Sequence, residues 1–99
     1  MAIETLTEAG FCKASDSLVE FYTDECAFCR MLNPILEKAS LANPSLKIYR
    51  INVNEERAIA DKYGIVSVPT LMRFKDGKPI MRHVGRAGIA DVMTLMQDV

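Results

Sequence analysis

A short, almost continuously apolar segment followed by a long amphipathic pattern constrains the fold of this chain more than any other feature. Residues 18–22, Leu-Val-Glu-Phe-Tyr, favour β-structure and lie between turn-forming neighbours. Because they lack the alternation of a half-buried strand, they predict a strand covered on both faces, as in parallel sheets. In residues 27–42 apolar side chains recur at helical spacing, which predicts a helix directly after that strand.

The remaining pattern alternates strands with helices and then changes to a hairpin. Strand–helix repeats imply parallel strands with helices on both faces, whereas the Asp76-Gly77 turn signal adds antiparallel strands at one edge. Pro34 inside the long helix removes one backbone hydrogen bond and is expected to kink it. The expected elements, in chain order, are strand 3–6, helix 7–14, strand 18–22, helix 27–42, strand 46–53, helix 55–63, strands 70–75 and 79–84, and a last helix with an apolar stripe over 89–96.

Size and composition exclude several classes of protein. With 99 residues, of which 49% are hydrophobic, the chain is expected to form one domain spanning residues 1–99. Twelve basic against thirteen acidic residues give a net charge of -1, so a nucleic-acid partner is not expected. No apolar run approaches the roughly 18 residues of a membrane helix, so no membrane partner is expected either. The first residues lack the basic and apolar regions of a secretory signal, which favours the cytoplasm.

The cysteine count also favours a reducing compartment. The three cysteines are Cys12, Cys26 and Cys29, and an odd number argues against a disulfide framework. Cys12 is interpreted as a small core residue, with oxidation or dimerisation through it as the alternative. Together with His83 the three thiols would make a Cys3His metal set, but no second CxxC or local histidine pair supports it. We therefore expect no metal and interpret His83 as a solvated side chain.

Cys26-Ala27-Phe28-Cys29 lies between the buried strand and the long helix, where a cysteine pair has specific chemistry. A three-residue separation at a helix start places both sulfurs on one face, close enough to form a disulfide. Backbone N–H groups and the helix dipole stabilise a thiolate at the first position. Such a thiolate attacks a disulfide, and the neighbouring thiol resolves the mixed disulfide. The pattern therefore predicts thiol–disulfide exchange, with Cys26 attacking and Cys29 resolving.

Several further segments make the chain resemble a thioredoxin over nearly its whole length. The resemblance implies a thioredoxin fold, an α/β architecture with a central mixed sheet of about five strands and helices on both faces. It also implies an enzyme that reduces protein disulfides, takes electrons from a separate reductase and needs no dissociable cofactor; we expect a monomer. The segments that carry the resemblance are residues 18–22 before the CxxC, Met-Leu-Asn-Pro-Ile-Leu at 31–36, Lys-Tyr-Gly-Ile-Val-Ser-Val-Pro-Thr-Leu at 62–71, Asp-Gly-Lys at 76–78 and Val-Gly at 84–85.

The resemblance also assigns roles around the cysteines. It implies that Val68–Pro69 is a cis peptide facing the disulfide and offering backbone groups to an extended substrate, with Gly85 flanking the same groove. Phe28 is expected to be exposed, since the helix start must face the substrate, and a buried core position is the alternative. We therefore assign substrate binding to Ala27, Phe28, Val68 and Pro69.

Two charged residues interrupt otherwise apolar strands. Glu20 in a strand buried on both faces would have a raised pKa, because an ionised carboxylate is costly in a low-dielectric interior. The resemblance implies that this acid helps to deprotonate Cys29; a solvated, edge-facing acid is the alternative. Arg50 could pair with Glu20, which would lower that pKa again; a side chain that extends to water at the sheet end is the alternative.

Departures from the family pattern leave the fold unchanged but alter the expected chemistry. Glu25 stands where the family has tryptophan, Ala27-Phe28 replaces Gly-Pro, and the chain has no tryptophan. Asp24 and Glu25 beside Cys26 predict a reductant rather than a strong oxidant. Two alternatives stay open, a glutathione-dependent glutaredoxin-like enzyme and a non-catalytic binding module. The intact CxxC argues against the second, and Pro34 with Glu20 favours thioredoxin over the first.

Overall fold

The computed structural model describes residues 3–7, 10 and 16–97. Its strands and helices follow the predicted order, although the first strand is shorter than residues 3–6 and the second helix is shorter than 55–63. The predicted helix over residues 7–14 lies largely outside the described residues. The elements are β1 Glu4–Thr5, β2 Ser17–Tyr22, α1 Ala27–Ala42, β3 Lys47–Asn52, α2 Arg57–Lys62, β4 Thr70–Lys75, β5 Lys78–Val84 and α3 Ile89–Leu95.

The strands form one mixed sheet in the order β1-β3-β2-β4-β5. The pairs β1–β3 and β3–β2 are parallel, whereas β2–β4 and β4–β5 are antiparallel. Strand β2 therefore lies at the centre, and all six of its residues are buried. The continuous apolar run reflects that central position, because a strand covered on both faces has no solvent side to mark with polar residues.

The residues of the hairpin at the sheet edge suit a tight turn and an edge strand. Asp76 and Gly77 both have positive φ angles, 54° and 78°, as a tight two-residue turn between twisted strands demands. Strand β5 is an edge strand with mostly exposed residues. Pro79 lies within it, where a missing backbone N–H is tolerated.

Helices cover both faces of the sheet, as expected. Adjacent residues of β2 point to opposite sides, so Val19 packs in one apolar cluster and Leu18 in the other. The first cluster includes Ile59 of α2, and the second includes Leu36 of α1 and Val92 of α3. None of the helices in the described ranges is long and apolar enough to cross a bilayer.

Helix α1 is anchored by a narrow apolar stripe. Its buried residues recur at three- and four-residue intervals, as in a helix that packs one face on a sheet. They are Cys29, Leu32, Leu36 and Ala39. The stripe begins at the second cysteine, so the packing that fixes the helix also fixes Cys29.

Arg73 is a buried charge that the sequence did not reveal. Only 4% of the residue is exposed, and its Nη1 donates to the carbonyls of Leu95 at 3.4 Å and Gln97 at 2.9 Å. A cation at the end of α3 interacts favourably with the negative end of the helix dipole. Strand β4 is therefore tied to the end of α3 by a charged side chain rather than by apolar packing alone.

Candidate active site

Three loops meet at one end of the sheet and define the site. The CxxC segment follows the last residue of β2, and Val68–Pro69 precedes β4. Since β2 and β4 are antiparallel, with Phe21 opposite Thr70, these two segments lie side by side. Thr70 is also opposite Val84, so Gly85 at the end of β5 lies at the same end. Sheet topology thus gathers residues from three distant parts of the sequence.

The two cysteines occupy different environments at the start of α1. Cys26 is the N-cap residue, in extended backbone conformation, and its Sγ accepts a hydrogen bond from the Cys29 N–H at 3.1 Å. The two residues form a disulfide, with Cα atoms 5.2 Å apart. Cys29 is 1% exposed, whereas Cys26 is half-buried. The helix terminus therefore acts on the more accessible sulfur, as the pattern predicted.

Two acids precede the nucleophile position. Asp24 and Glu25 are both exposed and lie immediately before Cys26 in the chain. The Arg30 guanidinium donates to the backbone carbonyl of Asp24 at 2.8 Å. A thiolate on Cys26 would therefore interact with the helix N–H groups and with two carboxylates that precede it in the chain, while the Arg30 guanidinium lies against the backbone of Asp24.

Phe28 is exposed beside the cysteines, as expected. It is 46% exposed, and the Arg86 guanidinium lies 5.4 Å from its ring centroid. Ala27 is also exposed. The two residues between the cysteines thus present an open surface, one side of which is apolar and aromatic.

The Val68–Pro69 peptide is cis, which confirms the expectation from the family resemblance. Pro69 is buried, and its carbonyl accepts a hydrogen bond from the Gly85 N–H at 2.8 Å. Gly85 has a φ angle of 92°, a backbone conformation that residues with a Cβ rarely adopt. The Thr70 hydroxyl donates to the carbonyl of Ser67 at 2.8 Å and closes the loop before β4. These bonds hold the cis peptide and Gly85 together.

Glu20 and Arg50 form an ion pair, which is one of the two arrangements that the sequence left open for Arg50. Glu20 is fully buried, and Arg50 Nε donates to its Oε1 at 2.9 Å. The second oxygen, Oε2, is buried without a hydrogen-bond partner. Burial raises the pKa of Glu20 above its ordinary value, and the bond and charge of Arg50 only partly oppose that rise.

Tyr22 adds a contact to this pair that sequence reasoning missed. The Arg50 guanidinium lies 3.8 Å from the centroid of the Tyr22 ring, and the Arg50 side chain is 22% exposed. The contact could have been predicted from the sequence, because Tyr22 follows Glu20 by two residues on one strand and therefore points to the same face. The aromatic ring supports the guanidinium between the carboxylate and water.

The residues considered for a metal site have other surroundings. His83 Nε2 is 2.7 Å from the backbone carbonyl of Arg86. Cys12 lies outside the described residues, so its predicted core position stays a prediction. Within residues 3–7, 10 and 16–97, no three His, Cys, Asp or Glu side chains cluster as a metal would require.

A mixed-sheet α/β protein with a cysteine pair capping a helix, next to a cis-proline loop, belongs to the redox proteins built on the thioredoxin fold. The sequence profile of the thioredoxin family matches residues 4–98, and the chain belongs to that family. It is 35% identical to the thioredoxin of Alicyclobacillus acidocaldarius over 104 residues, covering 93% of this chain and 99% of that protein. Against a Staphylococcus aureus thioredoxin the identity is 36% over 100 residues, covering 94% and 96%.

Solved structures agree with the sequence comparison. A mutant thioredoxin from Halobacterium salinarum superimposes with a TM-score of 0.85 at 28% identity, covering 95% of this chain and 86% of that one. Family and site together define the activity, that of a thiol–disulfide oxidoreductase that reduces protein disulfides through Cys26 and Cys29. Its substrates are disulfide-containing proteins, and a reductase supplies its electrons.

The raised pKa of Glu20 gives a stability test. A carboxyl with a higher pKa in the folded state stabilises the fold below its ordinary value of 4.5, and that contribution disappears as pH rises through the folded pKa. Glu20→Gln keeps the volume and an acceptor for Arg50. Its free energy of unfolding relative to wild type is therefore expected to increase with pH from about pH 4 to about pH 8, by at most about 1.4 kcal/mol per pH unit.

Urea denaturation across that pH range measures the effect. Glu37→Gln is the matched control, because Glu37 is an exposed acid on α1. An equal pH dependence in the two variants would contradict the burial argument, as would a Glu20→Gln variant that loses stability relative to wild type on going from acid to neutral pH.

Proposed function

We propose that Cys26 is the attacking thiolate and Cys29 the resolving thiol. Glu20 is proposed to help remove the proton from the Cys29 thiol. One observation carries the division of roles: the accessible sulfur caps the helix, whereas the other is almost completely buried. A substrate disulfide can reach Cys26 without displacing core residues. Cys29 can react only with the Cys26 sulfur, once that sulfur is bonded to the substrate.

The reaction is a two-step exchange. The Cys26 thiolate attacks one substrate sulfur, forming a mixed disulfide and releasing the other substrate sulfur as a thiolate. Cys29 loses its proton and attacks Cys26, which releases the second substrate thiolate and leaves the Cys26–Cys29 disulfide. Two electrons thus pass from the protein dithiol to the substrate, and the reductase returns them.

The proposed role of Glu20 rests on its hydrogen bonding. Arg50 occupies Oε1, while buried Oε2 has no partner and is the oxygen that can carry a proton. A carboxyl with a raised pKa changes protonation state closer to neutral pH than an ordinary one, as a proton-transfer group must. Arg50 is a supporting residue in this scheme, because it holds the carboxyl and moderates the rise in its pKa.

Substrate contact is proposed for Ala27 and Phe28 on one side and for Val68–Pro69 on the other. The first two are exposed between the cysteines, and the cis peptide begins β4 at the same end of the sheet. An extended substrate segment that lies between them would place its disulfide over Cys26. Gly85, bonded to the Pro69 carbonyl, supports that side.

We further propose that residues 1–99 act as a monomeric single domain in the cytoplasm, with no nucleic-acid or membrane partner. One sheet with a core on each face supports the single domain. Asp24 and Glu25 beside the nucleophile favour a reductant, and a protein reductant acts in a reducing compartment. The near balance of acidic and basic residues gives no general attraction to nucleic acid.

Trapping the intermediate tests the division of roles. Reduced Cys29→Ser should accumulate a mixed disulfide with a protein substrate such as insulin, because nothing resolves it. Cys26→Ser should accumulate none, since buried Cys29 cannot reach the substrate. Non-reducing electrophoresis and mass spectrometry measure both, with wild type as the control that turns over. Trapping by Cys26→Ser alone would reverse the assignment.

The charges beside Cys26 predict the redox potential. At about 6 Å one acid destabilises the thiolate by roughly 0.7 kcal/mol in water and up to about 3 kcal/mol near the protein surface, against about 0.3–1 kcal/mol from the helix terminus. We expect a potential near or below about -270 mV rather than near about -120 mV. Glu25→Gln should make it less negative, and added salt should shrink the change.

Equilibration against a dithiothreitol or glutathione series measures these potentials. Glu55→Gln, an exposed acid outside the site, is the control for net charge. A wild-type value above about -200 mV would contradict the electrostatic argument, and so would a more negative potential in Glu25→Gln than in wild type.

A further inference from the structure

A groove of about 410 Å³ lies beside Phe28, between α1 and the segment that enters α3. Phe28, Met31 and Ile35 line it from α1, and Arg86 and Asp91 line it from the other side. Because Phe28 lies between the two cysteines in the chain, the groove begins where a bound disulfide would lie. It is therefore placed to receive the substrate residues next to the attacked sulfur.

The α1 side of this groove is apolar and accessible. Phe28 is 46% exposed and Met31 is 58% exposed, although both are large apolar side chains on a helix whose buried stripe lies elsewhere. Neighbouring exposed apolar side chains in a concave surface are typical of a binding site. An apolar substrate side chain would remove both residues from water.

Arg86 places a cation at the rim of the groove. Its guanidinium lies 5.4 Å from the Phe28 ring centroid, which orients the charge over the active-site surface. Within residues 3–7, 10 and 16–97 no carboxylate lies within ion-pair distance of Arg86, whereas Arg50 is paired with Glu20. A substrate carboxylate would therefore meet a cation that no described acid neutralises.

The acids nearby sharpen this charge pattern. Asp91 lines the groove, but its Oδ2 accepts the Gly88 N–H at 2.9 Å and is directed at the start of α3. Asp24 and Glu25 lie on the chain before Cys26, whereas Arg86 contacts the residue after Ala27. A substrate acid is consequently repelled on one side of the nucleophile and attracted on the other.

We propose that the groove, defined by Phe28, Met31, Ile35, Arg86 and Asp91, selects substrate proteins whose reactive cysteine is flanked by an apolar residue and a carboxylate. The apolar side chain packs on Phe28 and Met31, and the carboxylate pairs with Arg86. This proposal rests on the proposed function, since it needs Cys26 to be the attacking sulfur. It makes Arg86 a specificity-determining residue for disulfide reduction.

Symmetric peptide disulfides test the charge preference. Each peptide has one cysteine with leucine on both sides and a single glutamate, glutamine or lysine beyond one of the leucines. One series places this residue before the cysteine and the other places it after, so that in one of them it faces Arg86. The rate constant with reduced protein, divided by that with dithiothreitol, removes differences in intrinsic reactivity. In the series that faces Arg86 the glutamate peptide should react about two- to five-fold faster than the glutamine peptide, with lysine slower still, and salt should reduce the difference.

Variants of the protein assign the preference to Arg86. Arg86→Gln should abolish the preference for glutamate and Arg86→Glu should reverse it. Arg57→Gln removes the same charge from an exposed position on α2 and should leave the preference for glutamate intact. A glutamate preference that survives in Arg86→Glu would overturn the proposal, as would equal normalised rates for all three peptides of both series with wild type.

A double-mutant cycle tests the apolar contact. Replacing the leucines by alanine should slow reduction by wild type. The same replacement should have a smaller effect on Met31→Ala, because that variant has already lost the contact with the leucine. Fully additive effects would overturn this part of the proposal. If wild type reduces these peptides equally, the proposed function still stands and the groove has no such role. If it reduces none of them but traps insulin, the groove proposal alone fails; if it does neither, the proposed function fails with it.

Discussion

The ion pair between the buried carboxyl group of Glu20 and Arg50 is the interaction on which the proposed chemistry of this protein depends. Strand β2 is central and fully buried, so any charged side chain on it must find a partner within the protein. Arg50 on the neighbouring strand supplies one hydrogen bond and leaves the second carboxyl oxygen without a partner. The same strand ends at Tyr22, and a short turn leads from there to Cys26, so the buried acid and the redox pair lie on one continuous segment.

Much of this arrangement could be predicted from the sequence because it depends on local patterns. The run at 18–22 indicated a central strand, and the spacing over 27–42 indicated α1 with the residue bounds that the structure shows. Glu20 could be identified as a candidate functional residue because a carboxyl group inside an apolar, buried strand is costly unless it has a partner. Arg50 followed as its partner for the same reason, since it interrupts the next parallel strand.

What could not be predicted depends on side chains that meet across elements. In the sequence Arg73 is one polar position of a weakly alternating strand. Its burial is explained only by the position of α3, whose end supplies the carbonyls that accept its hydrogen bonds. The contact of Arg86 with Phe28 joins residues far apart in the sequence, and no periodicity relates them. Helix α2 is shorter than its sequence pattern because Glu55 and Glu56 form turns with their backbone N–H groups bonded to the carbonyl of Asn52. The contacts of Arg73 and Arg86 follow from topology rather than from residue spacing, whereas the start of α2 depends on local backbone hydrogen bonds.

The site combines a framework common to its family with an individual surface. The chain belongs to the thioredoxin family, and its cysteine pair, cis peptide and buried acid are the parts to which we assign disulfide exchange. Glu25, Phe28 and Arg86 surround that chemistry with acids on one side and an aromatic ring with a cation on the other. In the proposed scheme the framework determines which reaction occurs, while the surrounding charges set the redox potential and the choice of substrate.

Single-turnover kinetics of Glu20→Gln, with Glu37→Gln as control, test the central claim that a buried carboxyl serves the resolving cysteine. Rapid mixing of the reduced protein with a peptide disulfide, followed by acid quenching, separates formation of the mixed disulfide from its resolution. The account predicts that Glu20→Gln forms the mixed disulfide at close to the wild-type rate but resolves it more slowly, and that the difference depends on pH. Resolution at the wild-type rate across the pH range, with a folded variant, would show that Glu20 serves the structure alone and would contradict the account.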